Sequence, residues 1–334
     1  MLLYKCKIIL IYRKQYTHTY SIEFIFDQIL IGLQVSQNIQ KYNLLRYSNS
    51  VINRLLNLIS ILFLPAKIIH VTGDVHYAIL GAWFKKRILT IHDLAFMHQN
   101  KGVKRSILKW FYIILPVRFA HQITVVSEAT RKDLSNYVLI NTDKIKVIPN
   151  FISEAFHSNP DRNFNTTQPQ MLQIGTAFNK NIERLAEAIT NLNCKLVIIG
   201  NLNEVQVTIL QKFKINYITK TGLSEQQLLL EYDQADLLTF VSTMEGFGLP
   251  ILEAQACGLP VVTSNCSSMP EVAGNAAVLV DPFDVQSVRS GILQVINDCN
   301  LREAIVKKGF ENVKRFSKEN IISQYNQLYQ DSSR

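Results

Sequence analysis

Two carboxylates eight positions apart, Glu245 and Glu253, flank a short turn of Gly246, Phe247, Gly248 and Leu249, with Pro250 behind it. A glycine turn between two acids suits a phosphate-sized anion, because the turn supplies backbone amides that can approach it closely. The flanking sequence says how the turn is held. Asp236 to Val241 (DLLTFV) is an apolar run of strand length, Ile251 to Ala256 reads as a helix stopped by Gly258, and Val261 to Ser264 (VVTS) reads as the next strand. A strand, a glycine turn and a helix in that order leave amides unpaired at the positive end of a helix dipole, which is an anion site. Pro250 is expected at the first helical position, where its missing N–H costs nothing, and Glu253 in the first helical turn.

The same alternation runs along most of the chain. Strands are expected at Lys7–Tyr12, Ile68–Val71, Arg87–Ile91, Ile123–Val126 and Ile145–Ile148, with a helix opened by Ser21 and another by Ser127. A polar, turn-rich stretch at 154–169 reads as a linker. Beyond it strands are expected at Met171–Ile174, Lys195–Ile199 and Asn216–Ile218, with helices over Asn181–Leu192 and from Ser224 to Asp233. Alternating strands and helices imply mainly parallel sheets, and 334 residues exceed one ordinary core. The expectation is two Rossmann-like domains, residues 1–160 and 161–316, with the tail 317–334 returning as a helix to the first.

Charge is divided unevenly. Residues 1–165 hold 21 Lys and Arg against 9 Asp and Glu, whereas residues 166–334 hold 14 against 17. A basic first half serves solubility or meets something anionic, such as a lipid phosphate, a membrane surface or an acidic glycan. Five scattered cysteines without a CxxC pair suggest neither a zinc knuckle nor a disulfide framework, and point to a reducing, cytoplasmic setting. No uncharged apolar run reaches membrane-spanning length; Val51–Pro65 and Lys109–Ala120 read as core or interface helices. No DxD pair occurs, so a metal-clamped diphosphate site lacks its usual ligands, and neither metal nor cofactor is expected.

Read as a whole, STMEGFGLPILEAQACGLPVVTSNCSSMPEVAGNAAVLVDPFD resembles the nucleotide-sugar site of the retaining GT-B glycosyltransferases of family 4 (glycosyl transferases group 1). IGTAFNKNIERL (Ile174 to Leu185) resembles that family's phosphate-binding loop and helix. LTIHDLAF, TVVSEATRKDL and VIPN resemble landmarks of its first half. The resemblance implies two Rossmann-like domains facing across a cleft. It also implies transfer of a sugar from a nucleoside-diphosphate donor (UDP- or GDP-linked) to a glycan or lipid-linked acceptor with retention, in surface polysaccharide or lipopolysaccharide synthesis. No nucleic-acid partner is implied.

Carried over residue by residue, the resemblance gives Glu253 the ribose hydroxyls and Glu245 the transferred sugar. Lys180, five positions after Gly175, takes the diphosphate. Gly246, Phe247, Gly248 and Leu249 form the backbone cradle, Leu223 lines the base, and His92 faces the sugar or acceptor while Asp93 caps a turn. Two departures stand out. Thr176 occupies a place where relatives often carry a cation, which Arg184 could supply instead. The first loop, Arg13 to Ser21, lacks the usual glycines, so Arg13 and Lys14 could offer charge to a phosphorylated acceptor. The run Lys101–Arg118 could lie on an anionic membrane or be an ordinary cleft-side helix. Competing readings are an epimerase or phosphorylase on the same fold and a non-catalytic binding module. A NAD-dependent dehydrogenase is disfavoured because no GxGxxG follows the first strand.

Overall fold

The computed structural model describes residues 8–14, 21–158 and 162–333. Lys7, Cys6 and residues 15–20 of the first loop lie outside them. The chain divides into two compact units, Met1–Phe151 with Lys318–Arg334, and Ile152–Ser317. The boundary falls between Phe151 and Ile152 rather than at the expected residue 160, and the Ile152 amide donates to the Phe316 carbonyl at 3.2 Å within the second unit.

The first unit is a six-stranded, all-parallel sheet of β1 (Ile8–Tyr12), β2 (Ile39–Asn43), β3 (Ile68–Val71), β4 (Lys86–Ile91), β5 (Gln122–Val125) and β6 (Ile145–Val147), in the order β2-β1-β3-β4-β5-β6. The strands are short apolar runs because helices cover both faces of a parallel sheet. A helix from Ser21 to Leu33 joins β1 to β2, and one from Val51 to Leu62 joins β2 to β3. The last helix, Lys318–Ser333, packs beside the Ser21–Leu33 helix and buries Ile321, Tyr325, Leu328 and Tyr329. Beneath it runs a buried polar row. His70 on β3 shares hydrogen bonds with Tyr329 Oη (2.6 Å) and Thr90 Oγ1 on β4 (2.7 Å), and Thr90 pairs with Thr124 on β5 (2.6 Å).

The second unit repeats the plan with β7 (Gln170–Ile174), β8 (Lys195–Ile199), β9 (Tyr217–Lys220), β10 (Leu237–Phe240), β11 (Val261–Ser264) and β12 (Val278–Val280), again all parallel, in the order β12-β11-β10-β7-β8-β9. From β7 the chain steps outward to β8 and β9; from β10 it steps the other way to β11 and β12. Neighbouring strands β7 and β10 therefore send their carboxyl-end loops in opposite directions, which opens a crevice at that point. In the first unit the equivalent reversal lies between β1 and β3.

Candidate active site

The residues singled out at Gly175, Lys180 and Glu245 meet where β7 and β10 part. Gly175 ends β7 with φ at +86°, and a Cβ there would sit 2.8 Å from Cε of Lys180. The missing side chain lets the lysine stem lie against the strand end. A short 3-10 turn, Phe178–Lys180, aims the stem toward β10. The Lys180 ammonium lies 2.6 Å from Glu245 Oε1 and 4.4 Å from the centre of the Phe240 ring. Both partners are largely shielded, with 16% and 14% side-chain exposure, so the pair is screened far less than a surface pair. Asn179, which sequence reasoning passed over, ties the two loops. Its Nδ2 donates to the Met244 carbonyl (2.7 Å) and to Glu245 Oε1 (3.1 Å), and its own carbonyl accepts from the Thr243 amide (2.8 Å).

The turn after Glu245 is held from behind. Ser267 Oγ donates to the Glu245 carbonyl (2.7 Å) and accepts from the Glu245 amide (3.1 Å). Ser268 Oγ donates to the carbonyls of Glu245 (3.0 Å) and Phe247 (2.7 Å). Fixing those carbonyls fixes the opposite edge of the turn. Among the described residues the amides of Phe247, Gly248 and Leu249 make no hydrogen bond. The Phe247 ring is buried and meets Phe316 edge-on at 5.7 Å, so its side chain anchors the turn while its amide stays available. Gly248, at φ +103°, precedes the helix Leu249–Ala256. That helix starts two residues earlier than expected. Pro250 is its second residue and Glu253 its fifth, so Glu253 stands in the second turn rather than the first.

From there Glu253 reaches Tyr232, whose hydroxyl donates to Oε2 at 2.5 Å. Loss of hydration pushes the Glu253 carboxyl up to about 7, with the Tyr232 hydrogen bond pulling the other way. Tyr232 takes one acceptor site and leaves the rest of the carboxylate for a ligand. Thr176 is otherwise committed: its hydroxyl donates to the Asn201 carbonyl (2.7 Å), and its carbonyl accepts from Gln206 (2.8 Å). It joins the β7 and β8 loops and brings no charge. Arg184 does not make up for it. It donates to Asn181 Oδ1 (3.0 Å) and lies 5.5 Å from the Phe283 ring, while Asn181 in turn braces the Val241 and Pro282 carbonyls. Leu223 is half-buried in the loop after β9, two strands away from β7.

In the first unit His92, just past the end of β4, is buried and its Nε2 donates to the Thr72 carbonyl at the end of β3 (2.8 Å). That bond places a proton on Nε2. Asp93 caps a turn as expected, accepting from the Ala95 amide (2.9 Å). The Arg13 guanidinium binds Glu23 (2.6 Å) and Asp74 (2.8 Å), so two carboxylates already share its charge. Lys14 lies over the Tyr47 ring at 4.6 Å. Nearby is a pocket of about 340 Å³ lined by Asp74, His76, Asp93, Phe96, Leu108 and Tyr112. His76 Nδ1 donates to the Tyr112 carbonyl (2.9 Å), and burial holds its imidazole below the ordinary range. Acceptor atoms beside aromatic walls suit a neutral hydroxyl-bearing ligand better than a phosphate.

Comparison with known proteins bears on the family and the fold. Residues 13–156 match the family model "Glycosyltransferase Family 4" and residues 156–312 the model "Glycosyl transferases group 1". The chain is 42% identical over 100 residues to O-antigen chain mannosyltransferase B of Escherichia coli, covering 30% of this chain and 26% of that protein. It is 28% identical over 227 residues to N-acetyl-alpha-D-glucosaminyl L-malate synthase of Bacillus anthracis, covering 63% and 59%. The matched stretches thus span less than two thirds of either relative. Among solved structures, Anabaena HepE in complex with UDP and glucose superposes with a TM-score of 0.78 at 13% identity, over 97% of this chain and all of that one, a likeness of fold. With two such models lying end to end across two Rossmann-like units, the chain belongs to the GT-B glycosyltransferases of family 4, group 1.

Proposed function

We propose that this chain transfers a sugar from a nucleoside-diphosphate sugar to a hydroxyl of a glycan or lipid-linked acceptor, with retention of configuration and without a metal. The observation that carries the reading is the shielded Lys180–Glu245 pair beside the unpaired amides of Phe247, Gly248 and Leu249. The amides and the Lys180 ammonium meet the diphosphate, and Glu253 accepts from the ribose hydroxyls. Glu245 lies next to Lys180, on the side where charge develops on the sugar as its bond to phosphate breaks. Negative charge grows on the leaving diphosphate in the same step, so the fixed ammonium favours the transition state over the bound donor. Acceptor binding is assigned to the first unit's pocket lined by Asp74, His76 and Asp93, whose oxygen and ring atoms can hold hydroxyls of the acceptor. Same-face attack fits this reading, because the departing phosphate oxygen can take the hydroxyl proton. UDP- and GDP-sugars are the donors to test first, HepE having been solved with UDP and glucose. The mannosyltransferase relative, named for the O-antigen chain, favours surface-polysaccharide acceptors.

The test is single-turnover sugar transfer by Lys180→Ala and Glu245→Gln, with nucleotide binding measured in parallel. Each variant should lose about 10²- to 10³-fold in kcat while still binding UDP or GDP, and EDTA should leave the parent rate unchanged. A Glu245→Gln protein that transfers sugar at the parent rate removes the proposed role of the pair.

A further inference from the structure

We propose that Asn179 is a positioning residue for sugar transfer, holding the Glu245 carboxylate in place when Lys180 leaves that carboxylate for the diphosphate. The inference rests on the proposed transfer reaction and adds to it a residue and a change of partners. The Glu245 backbone is fixed from behind by Ser267, which accepts from its amide (3.1 Å) and donates to its carbonyl (2.7 Å). Those bonds leave the side chain free to turn about its own torsions. Among the described residues two donors restrain it, and both end on one oxygen. Lys180 Nζ lies 2.6 Å and Asn179 Nδ2 3.1 Å from Oε1.

The two donors are not equivalent. Lysine is a point charge on a flexible stem, and this ammonium lies over the Phe240 ring, 4.4 Å from its centre, where it can pivot toward a new anion. Asn179 is fixed at both ends. Its backbone carbonyl accepts from the Thr243 amide (2.8 Å), which ties it to the chain just past β10. Its side-chain amide has two N–H groups, and both are spent, one on the Met244 carbonyl (2.7 Å) and one on Glu245 Oε1. Both partners are acceptors, so the nitrogen faces them and the amide has one orientation. The Met244 bond therefore keeps the second N–H aimed at Glu245 whatever the lysine does.

A bound donor makes the lysine choose. The proposed site sets a diphosphate at the amides of Phe247, Gly248 and Leu249. Thr176 brings it no charge, and Arg184 is held by Asn181. A diphosphate carries more negative charge than one carboxylate, so the Lys180 ammonium is drawn to it and its bond to Glu245 weakens. A carboxylate left alone beside a polyanion would swing away. The Asn179 amide is neutral, so it can stay on Oε1 when the ammonium goes. It also restrains the carboxylate without cancelling the negative charge that meets the positive charge developing on the sugar.

The same bonds brace the β7 and β10 loops, and a brace predicts different data. A brace acts on folding and donor binding. A positioning residue acts on the chemical step, and only through Glu245. A double-mutant cycle in the full chain separates them. Asn179→Ala, Glu245→Ala and the double variant are compared by release of nucleotide from UDP-glucose, UDP-N-acetylglucosamine and GDP-mannose, with methyl glycosides as acceptors. Binding of UDP and GDP is measured by calorimetry alongside. Asn179→Ala is expected to lower kcat about 10- to 100-fold, the worth of a hydrogen bond to a charged group, and to leave donor KM and nucleotide affinity within about twofold of the parent. In the Glu245→Ala background the same substitution should cost less than about twofold, because nothing remains to be held. Asn179→Asp keeps the shape but sets a second negative charge against Oε1, so its kcat should fall below that of the alanine variant. The proposal is overturned by a parent-like kcat in Asn179→Ala, by lost nucleotide binding, by an equal loss of rate with and without Glu245, or by an aspartate variant no slower than the alanine one. Parent-like transfer by Glu245→Ala, or a parent chain that releases nucleotide from none of the donors, instead removes the transfer reaction itself, and the inference falls with it.

Discussion

The chemistry of the candidate site depends on what each side chain has already been given to hold. Lys180 and Glu245 hold each other, Glu253 holds Tyr232, and Thr176 holds Asn201, so Thr176 brings the site neither charge nor a spare proton. Glu253 makes a titration measurable. Loss of hydration pushes its carboxyl up to about 7, and under the proposed function the ionised form is the one that accepts from ribose hydroxyls. Donor affinity should therefore rise with pH up to about 8 and fall about tenfold for each unit below 7, as read by calorimetric titration of UDP or GDP. Glu253→Gln should bind weakly with no pH slope. Tyr232→Phe removes the bond that lowers the Glu253 pKa, so its curve should shift to higher pH. A slope that survives in Glu253→Gln assigns the titration elsewhere. The two acids stood out in the sequence because they flank a glycine turn eight positions apart, and Lys180 because its segment resembles a phosphate-binding loop. Tyr232, Asn179, Ser267 and Ser268 did not, since each acts across a loop contact that spacing does not record.

At the scale of elements, the buried strands were legible for a physical reason. Parallel strands covered on both faces are continuous apolar runs, as in KLVII at β8 and the LLTF of β10. β2 was missed because it is an edge strand with only Ile39 buried, and IQKYN carries no such run. The helix expected over Asn181–Leu192 stops at Ala188, and the chain turns through Asn191 at φ +61°. The polar row under the last helix carries its own prediction. Tyr329→Phe leaves a buried imidazole nitrogen of His70 without its partner, and should cost about 1–3 kcal/mol in denaturant unfolding of the first unit. Burial holds His70 neutral, with its pKa lowered from 6.5 to about 3, the nearby His92 adding to the effect. The unfolded chain takes up that proton more readily, so this histidine withdraws stability as pH falls from about 6.5 toward 3.

Over the whole molecule, the polar stretch 154–169 suggested a boundary at residue 160, whereas the units divide between Phe151 and Ile152, so that this stretch lies inside the second unit. The tail belongs to the first unit's core through Ile321, Tyr325, Leu328 and Tyr329. Truncation after Ser317 should therefore unfold the first unit and spare the second. Limited proteolysis should then leave a resistant fragment of about 152–317, and a truncated chain with both units equally resistant would contradict the packing.

The returning helix also sets an order of assembly. The ribosome releases the strands of the first sheet long before it makes the segment that closes over His70, and it must synthesise the entire second unit in between. At about 5–20 residues per second that wait is on the order of ten to thirty seconds. Through that interval the nascent first sheet stands with one oily flank bare, the condition under which a chaperone's grip decides the yield of finished protein.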